Sequence, residues 1–232
     1  MRLADFKVLT FDVVGTLIDF EKGILDAFRA VGGPNAKGLT DDELFAPYLE
    51  GRKKFYGRMS EVMRDVYLHV ARELDLDQSA GAAERFQVAV LAWPPFEDSI
   101  ETLQRLRKHF YLVAMTNADR TAFTAHAHTL GRPFHDAVTV DETGFPKPDP
   151  RFFSYNLGRQ SARGIRQDEI LHVAQSQHHD IGIATELGYT VCWIERRMHQ
   201  EGFGGSPTPS EVATPHYHFA TLKELADRID SE

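Results

Sequence analysis

Several polar or charged residues stand just beyond short apolar runs of this sequence. They are two carboxylic acids, two small polar residues and a lysine held between prolines: Asp12, Thr116, Asn117, Lys147 and Asp180. If the runs are parallel strands, these residues lie along one edge of the sheet, where their side chains could converge. An ammonium about 4 Å from a carboxylate favours the ionised carboxylate and lowers its pKa. The spacing therefore predicts a charged site at the ends of the strands.

Short apolar runs are the elements that would position these residues. Their near-continuous apolar character is typical of strands covered on both faces, as in a parallel sheet. Helical patterns separate the later runs, so the second half of the chain alternates strand and helix. This order predicts an α/β fold with a doubly wound, Rossmann-like parallel sheet. The runs are KVLTF (7–11), YLVAM (111–115), AVTV (137–140), ILHVA (170–174), TVCWI (190–194) and YHFA (217–220).

The long segment between the first two runs contains no convincing strand. The spacing of its apolar residues instead predicts helices at 22–32, 59–74 and 84–93. Because the segment begins just after Asp12, it would cover the end of the sheet where ligands bind in open α/β folds. We interpret residues 18–95 as an inserted helical cap, and residues 1–17 plus 96–232 as the core.

The composition argues against several classes of partner. The net charge is −8, the isoelectric point is about 5.8, and GRKKFYGR (51–58) is the only basic run. Such a chain is a poor candidate for binding a nucleic-acid backbone, which requires clustered Lys and Arg. Its one cysteine, Cys192, permits no disulfide within the chain. The N-terminus has no signal-peptide pattern, and no apolar stretch reaches the roughly 18 residues of a membrane helix. We expect a cytoplasmic protein that binds neither nucleic acid nor membrane.

Four segments follow one another along the predicted core: FDVVGTL, MTNAD, GFPKPDPRFF and HVAQSQHHDIGIATELGYTVCWIERR. In order and spacing they resemble the motifs of the haloacid dehalogenase (HAD) superfamily, and the helical insertion stands where that superfamily carries a cap. The style of the motifs is most similar to the 2-haloacid dehalogenase branch. The resemblance implies a hydrolase that uses an aspartate to attack a carbon atom.

The resemblance also implies roles for individual residues. Asp12 would be the nucleophile, Lys147 would neutralise it, and Asp180 would anchor Lys147 or the hydrolytic water. Arg52 in the cap would receive the leaving group. The remaining candidates would bind the substrate or orient Asp12: Thr16, Thr116, Asn117, Gln175, Ser176 and Gln177.

Val14 distinguishes a dehalogenase from the phosphatases of this superfamily. The phosphatases carry a second aspartate at this position, which protonates the departing alkoxide. Valine has no proton to donate, and general acid catalysis is commonly worth about 10²–10⁴-fold. A halide leaves without a proton, so valine at position 14 would slow a phosphatase strongly and a dehalogenase little. The sequence thus predicts displacement of a halide, or a similar group, from C2 of a small carboxylic acid through an aspartyl ester.

The phosphatase residues that bind Mg²⁺ are also replaced. Their Gly-Asp-Ser motif reads Ala174-Gln175-Ser176 here. Mg²⁺ usually takes one or two carboxylates together with substrate phosphate. We therefore predict no required metal and no cofactor, with Mg²⁺ as the alternative.

The substrate and the reaction stay open at this stage. Haloacid dehalogenases usually have tyrosine at Val14, an aromatic hydroxyl at Phe153, and small polar residues at Gln175 and Gln177. These departures point to a different substrate or to little activity on haloacids. Azetidine-carboxylate hydrolases, which open a strained ring by the same attack, also resemble this branch.

Other functions are alternatives to this hypothesis. One is an HAD phosphatase, another is a phosphonoacetaldehyde hydrolase with Lys53 or Lys54 as its Schiff base, and a third is a non-catalytic HAD protein. His216 and His218 would share a strand face, but no third zinc ligand has clear spacing. The expected partner is a small-molecule carboxylate substrate, and the apolar cap faces could support a homodimer.

Overall fold

The computed structural model describes residues 2–232, so Met1, the first residue of the predicted core segment, lies outside the described residues. The strands are β1 (Val8–Phe11), β2 (Tyr111–Thr116), β3 (Asp136–Thr139), β4 (Ile170–Ala174), β5 (Thr190–Ile194) and β6 (Tyr217–Phe219). They form one six-stranded sheet in the order β3-β2-β1-β4-β5-β6. Every neighbouring pair is parallel, which confirms the predicted doubly wound sheet.

Strand β1 lies where the strand order reverses. From β1 the chain adds β2 and β3 on one side, and then β4, β5 and β6 on the other. Val8 pairs with Tyr111 of β2 and with Ile170 of β4. The three strands are parallel, so their carboxyl ends lie at the same edge of the sheet. Such a switch point leaves a crevice beyond the carboxyl ends of the strands. Asp12 lies at this crevice, since it directly follows β1.

Only helices and turns occupy the chain between Phe20 and Ala92. The helices are α1 (Phe20–Val31), α2 (Gly33–Gly38), α3 (Asp41–Lys54), α4 (Met59–Glu73) and α5 (Ala80–Ala89). Three of them match the predicted helices, whereas α2 and α3 were not predicted. A capping box of Thr40 and Glu43 begins α3, and the helix continues through Pro47. The insertion is therefore helical, as the sequence predicts.

The chain passes between the insertion and the sheet at two adjacent segments. Ile18 pairs with Pro95 in an antiparallel bridge. The N–H of Asp19 donates to the Pro94 carbonyl at 2.8 Å, and the N–H of Phe96 donates to the Leu17 carbonyl at 3.0 Å. The division into two domains at these positions stays a prediction.

The insertion contacts the same edge of the sheet that carries Asp12. At the start of α4, the N–H of Ser60 donates to Oδ2 of Asp119, a residue that follows β2, at 2.8 Å. Arg58 forms an ion pair of 3.0 Å with Asp141, which follows β3. These contacts hold the insertion over the ends of the strands as a cap.

The remaining helices are α6 (Ser99–Leu106), α7 (Arg120–Thr129), α8 (Val140–Thr143), α9 (Pro150–Ser161), α10 (Gly182–Glu186) and α11 (Leu222–Asp230). Two clusters of buried apolar side chains pack on the sheet. Leu9 and Phe11 belong to one cluster and Val8 to the other, because successive side chains of a strand point to opposite faces. Burial of each large apolar side chain stabilises the fold by about 1.5–3 kcal/mol. Among residues 2–232, no helix is both long and apolar enough to cross a membrane.

Candidate active site

Asp12 is held in one orientation by the turn that follows β1. Its backbone N–H donates to the Val173 carbonyl at 3.1 Å, which extends the pairing of β1 with β4. The turn passes through Gly15, whose φ of 93° favours glycine. It brings the Thr16 hydroxyl back to donate to Asp12 Oδ2 at 2.7 Å. The residue is only 6% exposed, so few other groups can reach its carboxylate.

Lys147 uses its ammonium group to join two acids and the sheet. Its Nζ donates to Asp12 Oδ1 at 2.9 Å, to Asp180 Oδ1 at 2.6 Å and to the Met115 carbonyl at 2.7 Å. An ammonium has three donors, so all of them are used. We call Asp12, Lys147 and Asp180 the charged cluster.

The charged cluster is electrostatically coupled. Burial raises the pKa of Asp12, and the charge of Asp180 acts in the same direction, while Lys147 and Thr16 oppose both. Burial would lower the pKa of Lys147, but the two carboxylates outweigh it and raise that pKa. Burial also opposes ionisation of Asp180, yet the ammonium of Lys147 and the ring of His172 outweigh it and lower its pKa to about 2. The arrangement favours a charged lysine beside a carboxylate at position 180.

Asp180 also contacts a histidine that the sequence analysis did not identify as a site residue. Nε2 of His172 lies 3.0 Å from Asp180 Oδ1, and its Nδ1 lies 2.9 Å from the Thr10 hydroxyl. Thr10 and His172 are paired across β1 and β4. Phe153 packs edge-on against the ring, with centroids 5.4 Å apart. The available signal was a histidine inside the apolar run ILHVA, since a buried imidazole needs polar partners.

Three further predicted residues adjoin the charged cluster. The Asn117 side chain pairs with the Lys147 backbone, accepting from its N–H at 2.7 Å and donating to its carbonyl at 2.9 Å. The Thr116 hydroxyl accepts from the Ala118 N–H at 3.1 Å. The Ser176 hydroxyl accepts from the His179 N–H at 3.0 Å. These contacts fix the loops that carry the charged cluster.

Gln175 and Gln177 bind a long loop, which we define as residues 195–216. The side-chain amide of Gln177 accepts from the Ala213 N–H at 3.1 Å and donates to the Ala213 carbonyl at 3.3 Å. Ser206 donates to Gln175 Oε1 at 3.2 Å. The loop also reaches the cap, since the Gly205 N–H donates to Glu21 Oε1 at 2.7 Å. Both glutamine side chains therefore bind the loop, and the loop in turn binds the cap.

The loop and the cap leave little space beside the turn that follows Asp12. A cavity of about 130 Å³ lies there, lined in part by Gly15, Phe20 and Gln175. A water molecule occupies about 30 Å³ in the liquid, so the cavity is small. The cavity lies between the turn that follows Asp12 and the start of the cap at α1.

Arg52 lies in the last turn of α3 in the cap. Among residues 2–232, its Nη1 is buried and has no hydrogen-bond partner, and no hydrogen bond or ion pair joins Arg52 to the charged cluster. Burial raises the pKa of Tyr48 to about 12, and the charge of Arg52 opposes this rise. Arg52 thus retains a free donor within the cap.

Comparison with known proteins decides the family. The family described as haloacid dehalogenase-like hydrolase matches residues 6–188. The chain belongs to the haloacid dehalogenase-like hydrolases. It is therefore a hydrolase, and the match spans β1, the helical cap and β4 and includes all three residues of the charged cluster.

The related proteins include dehalogenases and phosphatases. The chain is 24% identical to (S)-2-haloacid dehalogenase 4A of Burkholderia cepacia over 230 residues, covering 96% of this chain and 91% of that protein. It is 27% identical to haloacetate dehalogenase H-2 of Moraxella sp. (strain B) over 197 residues, covering 82% and 86%. It is also 28% identical to phosphoglycolate phosphatase of Mesorhizobium japonicum, covering 96% of each chain. These relatives support a dehalogenase-like hydrolase at the level of the family.

A solved structure shares the fold. L-2-haloacid dehalogenase from Xanthobacter autotrophicus, with chloropropionic acid covalently bound, is 18% identical and has a TM-score of 0.71. The comparison covers 97% of this chain and 98% of that one. The sheet and the helical cap are therefore arranged as in a dehalogenase.

The donor set fits Mg²⁺ poorly, although some haloacid dehalogenase-like relatives are phosphatases. Both oxygens of Asp12 and Oδ1 of Asp180 already accept hydrogen bonds, and positions 14 and 175 carry no carboxylate. Mg²⁺ requires near-octahedral oxygen ligands. Within residues 2–232, no group of three or more His, Cys, Asp or Glu side chains could hold a metal ion, which also removes support for the zinc site at His216 and His218.

The cap lysines lack the environment of a Schiff-base lysine, and His179 lies beside the charged cluster. Lys53 is exposed and pairs with Glu50 at 2.7 Å, and Lys54 is also exposed, with its ammonium 5.5 Å from the Phe55 ring centroid. A Schiff-base lysine normally requires desolvation or a cationic neighbour. Burial lowers the pKa of His179 to about 4, so this ring is neutral at neutral pH. Its Nδ1 lies 3.2 Å from the Lys147 carbonyl, beside the charged cluster.

Proposed function

We propose that this protein hydrolyses the bond between C2 of a small carboxylic acid and a halide or similar leaving group. The observation that carries the proposal is the charged cluster next to Val14. Asp12 is held by Lys147 and Thr16, while Val14 beside it cannot donate a proton. The combination of an ionised Asp12 and a neighbouring valine suits a leaving group that departs as a stable anion.

In the first step, a carboxylate oxygen of Asp12 attacks C2 from the side opposite the leaving group. The C2–oxygen bond forms as the C2–halogen bond breaks, and the halide takes the bonding electrons. The product is an ester between Asp12 and the substrate, with inversion at C2. Arg52 would receive the halide when the cap closes on the substrate, and its free Nη1 supports this role.

In the second step, water attacks the carbonyl carbon of the Asp12 ester. Asp180 Oδ2 is buried and has no hydrogen-bond partner among residues 2–232, so it could accept one proton from this water. That proton then passes to the oxygen of the departing hydroxy acid. The remaining water oxygen stays on Asp12, which loses a proton to solvent and becomes a carboxylate again. The net reaction consumes one water and releases the hydroxy acid, the halide and a proton.

A magnesium-dependent phosphatase is the second candidate, because a phosphoglycolate phosphatase is among the relatives. Val14 and the occupied carboxylate oxygens oppose it, since an alkoxide leaving group needs a proton and Mg²⁺ needs free oxygen ligands. We therefore propose a metal-independent reaction.

A single-turnover experiment in ¹⁸O-water tests the covalent step. With enzyme in excess over 2-chloropropionate, the water oxygen should appear in the peptide that contains Asp12, whereas the hydroxy acid should stay unlabelled. Asp12→Asn should abolish halide release. Label found only in the hydroxy acid would contradict an Asp12 ester.

A substrate panel separates the two candidates. It comprises chloro-, bromo- and fluoroacetate, both 2-chloropropionates, azetidine-2-carboxylate and p-nitrophenyl phosphate, each with and without EDTA. We expect halide release or ring opening that EDTA leaves unchanged. Phosphate release that EDTA abolishes would favour the phosphatase.

A further inference from the structure

His172 connects the reactive edge of the sheet to its interior. The residue lies in β4, is fully buried, and faces Thr10 across the pairing of β1 with β4. Its two ring nitrogens contact Asp180 Oδ1 at 3.0 Å and the Thr10 hydroxyl at 2.9 Å. A histidine in this position is therefore bound at both ends, and one end is a member of the charged cluster.

The chemistry of its partners determines the tautomer of His172. An ionised Asp180 can only accept hydrogen bonds, so Nε2 must carry a proton and donate it. Nδ1 can then accept from the Thr10 hydroxyl, which satisfies both nitrogens of a neutral ring. The alternative acceptor for Thr10 is the Leu171 carbonyl, which lies farther away at 3.5 Å. The contacts therefore favour the tautomer in which Nε2 carries the proton and Nδ1 accepts.

The two oxygens of Asp180 differ sharply in their contacts. Oδ1 accepts from both Lys147 and His172, whereas Oδ2 is buried and has no hydrogen-bond partner in the described part of the chain. A buried acceptor without a partner is costly unless another molecule supplies the donor. Because both donors bind the same oxygen, they fix the plane of the carboxylate and leave its second oxygen open to another donor.

We propose that His172 is a positioning residue for hydrolysis of the ester: by holding Asp180 Oδ1, it keeps Asp180 Oδ2 directed at the attacking water. This inference rests on the function proposed above. His172 touches neither the substrate nor the water, and it acts only through Asp180. Thr10 supports the same orientation by holding the opposite nitrogen.

Substitution of His172 should separate the two steps of the reaction. His172→Phe removes the N–H donor and keeps a ring of similar shape. We expect halide release in the first turnover to stay near that of the wild type, while ester hydrolysis slows by roughly 10²-fold, the lower range for loss of a general base. The ester should therefore accumulate on the Asp12 peptide, which intact-protein mass spectrometry would detect. Thr10→Val should show a smaller change in the same direction.

Two further variants distinguish positioning from damage to the fold. His172→Gln restores an N–H donor and should recover much of the ester-hydrolysis rate. Val191→Ala removes packing from the residue paired with His172 on β5 without removing a contact to Asp180, so it should lower the melting temperature without ester accumulation. The proposal is overturned if His172→Phe accumulates no ester, or if Val191→Ala accumulates it equally.

The ring state of His172 can be measured without any substrate. Nitrogen-15 spectra of the wild type should show a proton on Nε2 and none on Nδ1. The reverse tautomer would overturn the anchor to Asp180 even if the enzyme proves to be a dehalogenase. Conversely, absence of any Asp12 ester in the wild type, together with the expected tautomer, would reject the proposed function and leave the anchor itself in place.

Discussion

The charged cluster and the substrate side of the crevice are built in different ways. Within the cluster, the Lys147 ammonium has a partner for each of its protons, and Asp12 accepts at both oxygens. On the proposed substrate side, Gln175 and Gln177 are bound to the loop, and Arg52 Nη1 is a buried donor without a hydrogen-bond partner among residues 2–232. In the charged cluster only Asp180 Oδ2 is left without a hydrogen-bond partner among residues 2–232, whereas the contacts on the other side depend on the positions of the cap and the loop.

This difference separates the reaction from its specificity. Asp12 directly follows a central strand, and the loops that hold Lys147 and Asp180 are fixed to neighbouring strands, so the cluster is organised before substrate binds. Preorganised charges need no rearrangement as the reaction proceeds. The groups proposed to select a substrate sit on the cap and on the residues that bind the loop. We therefore expect changes to the cluster to affect rate, and changes to the loop to affect binding.

The largest expected effect comes from Lys147→Met. The substitution removes the only cation in the cluster and leaves two buried carboxylates facing each other, so one of them should take up a proton. Removal of one member of a buried ion pair costs about 3–5 kcal/mol of stability, and loss of the charge next to Asp12 should lower kcat by roughly 10²–10³-fold. Denaturant unfolding and single-turnover halide release would measure the two effects.

Lys53→Met is the matched control for this prediction. Lys53 is an exposed cap lysine that pairs with Glu50 at 2.7 Å, and exposed pairs contribute little. Its stability and activity should stay close to those of the wild type. If Lys147→Met behaved in the same way, the charged cluster would have no special role.

The acid limb of the pH profile should be the next largest effect. Asp12 must be ionised to attack, and burial raises its pKa above the ordinary value of 3.8. We therefore expect kcat/KM to fall as the pH decreases, with a midpoint above 3.8; this apparent pKa belongs to the coupled cluster. A midpoint at or below that value would contradict the effect of burial on Asp12.

Unfolding should not produce this acid limb. Because its folded-state pKa is raised, protonation of Asp12 favours the folded state as the pH falls through that pKa. The contribution of Asp180 to stability is present above its unfolded pKa and is lost progressively as the pH falls from that value through its folded pKa of about 2. Near-UV circular dichroism, recorded at each pH, should therefore stay native across the activity midpoint.

The sequence could predict the charged cluster because its residues follow regular elements. Short apolar runs are strong indicators of buried strands, and parallel strands share one carboxyl edge, so Asp12 was placed correctly relative to β2 and β4. His172 was missed because it belongs to a strand rather than to a strand end. Its partner Thr10 becomes visible only when the register of β1 against β4 is known.

The cap and the loop were harder to predict for physical reasons. Helix α3 contains Pro47 and Gly51, both of which weaken helical patterns, and it is stabilised by its capping box and by tertiary packing. The contacts of Gln177 with Ala213 join residues that are 36 positions apart. No local periodicity encodes such a contact. The sequence analysis therefore expects Gln175 and Gln177 to bind substrate, whereas the structure shows both side chains bound to the loop.

The smallest expected effect comes from Gln177→Ala, which tests the loop side of the comparison. Gln177 makes two hydrogen bonds to Ala213, at 3.1 and 3.3 Å, and each such bond is worth about 0.5–1.5 kcal/mol. Their loss should loosen residues 195–216, so KM should rise more than kcat changes, and limited proteolysis within the loop should become faster. Gln167→Ala is the control, because Gln167 also donates to a backbone carbonyl, that of Leu187 at 2.8 Å, but lies before β4 at the opposite edge of the sheet. An equal rise of KM in both variants would show that the loop does not govern binding, and a fall of kcat comparable to that of Lys147→Met would place Gln177 with the charged cluster instead.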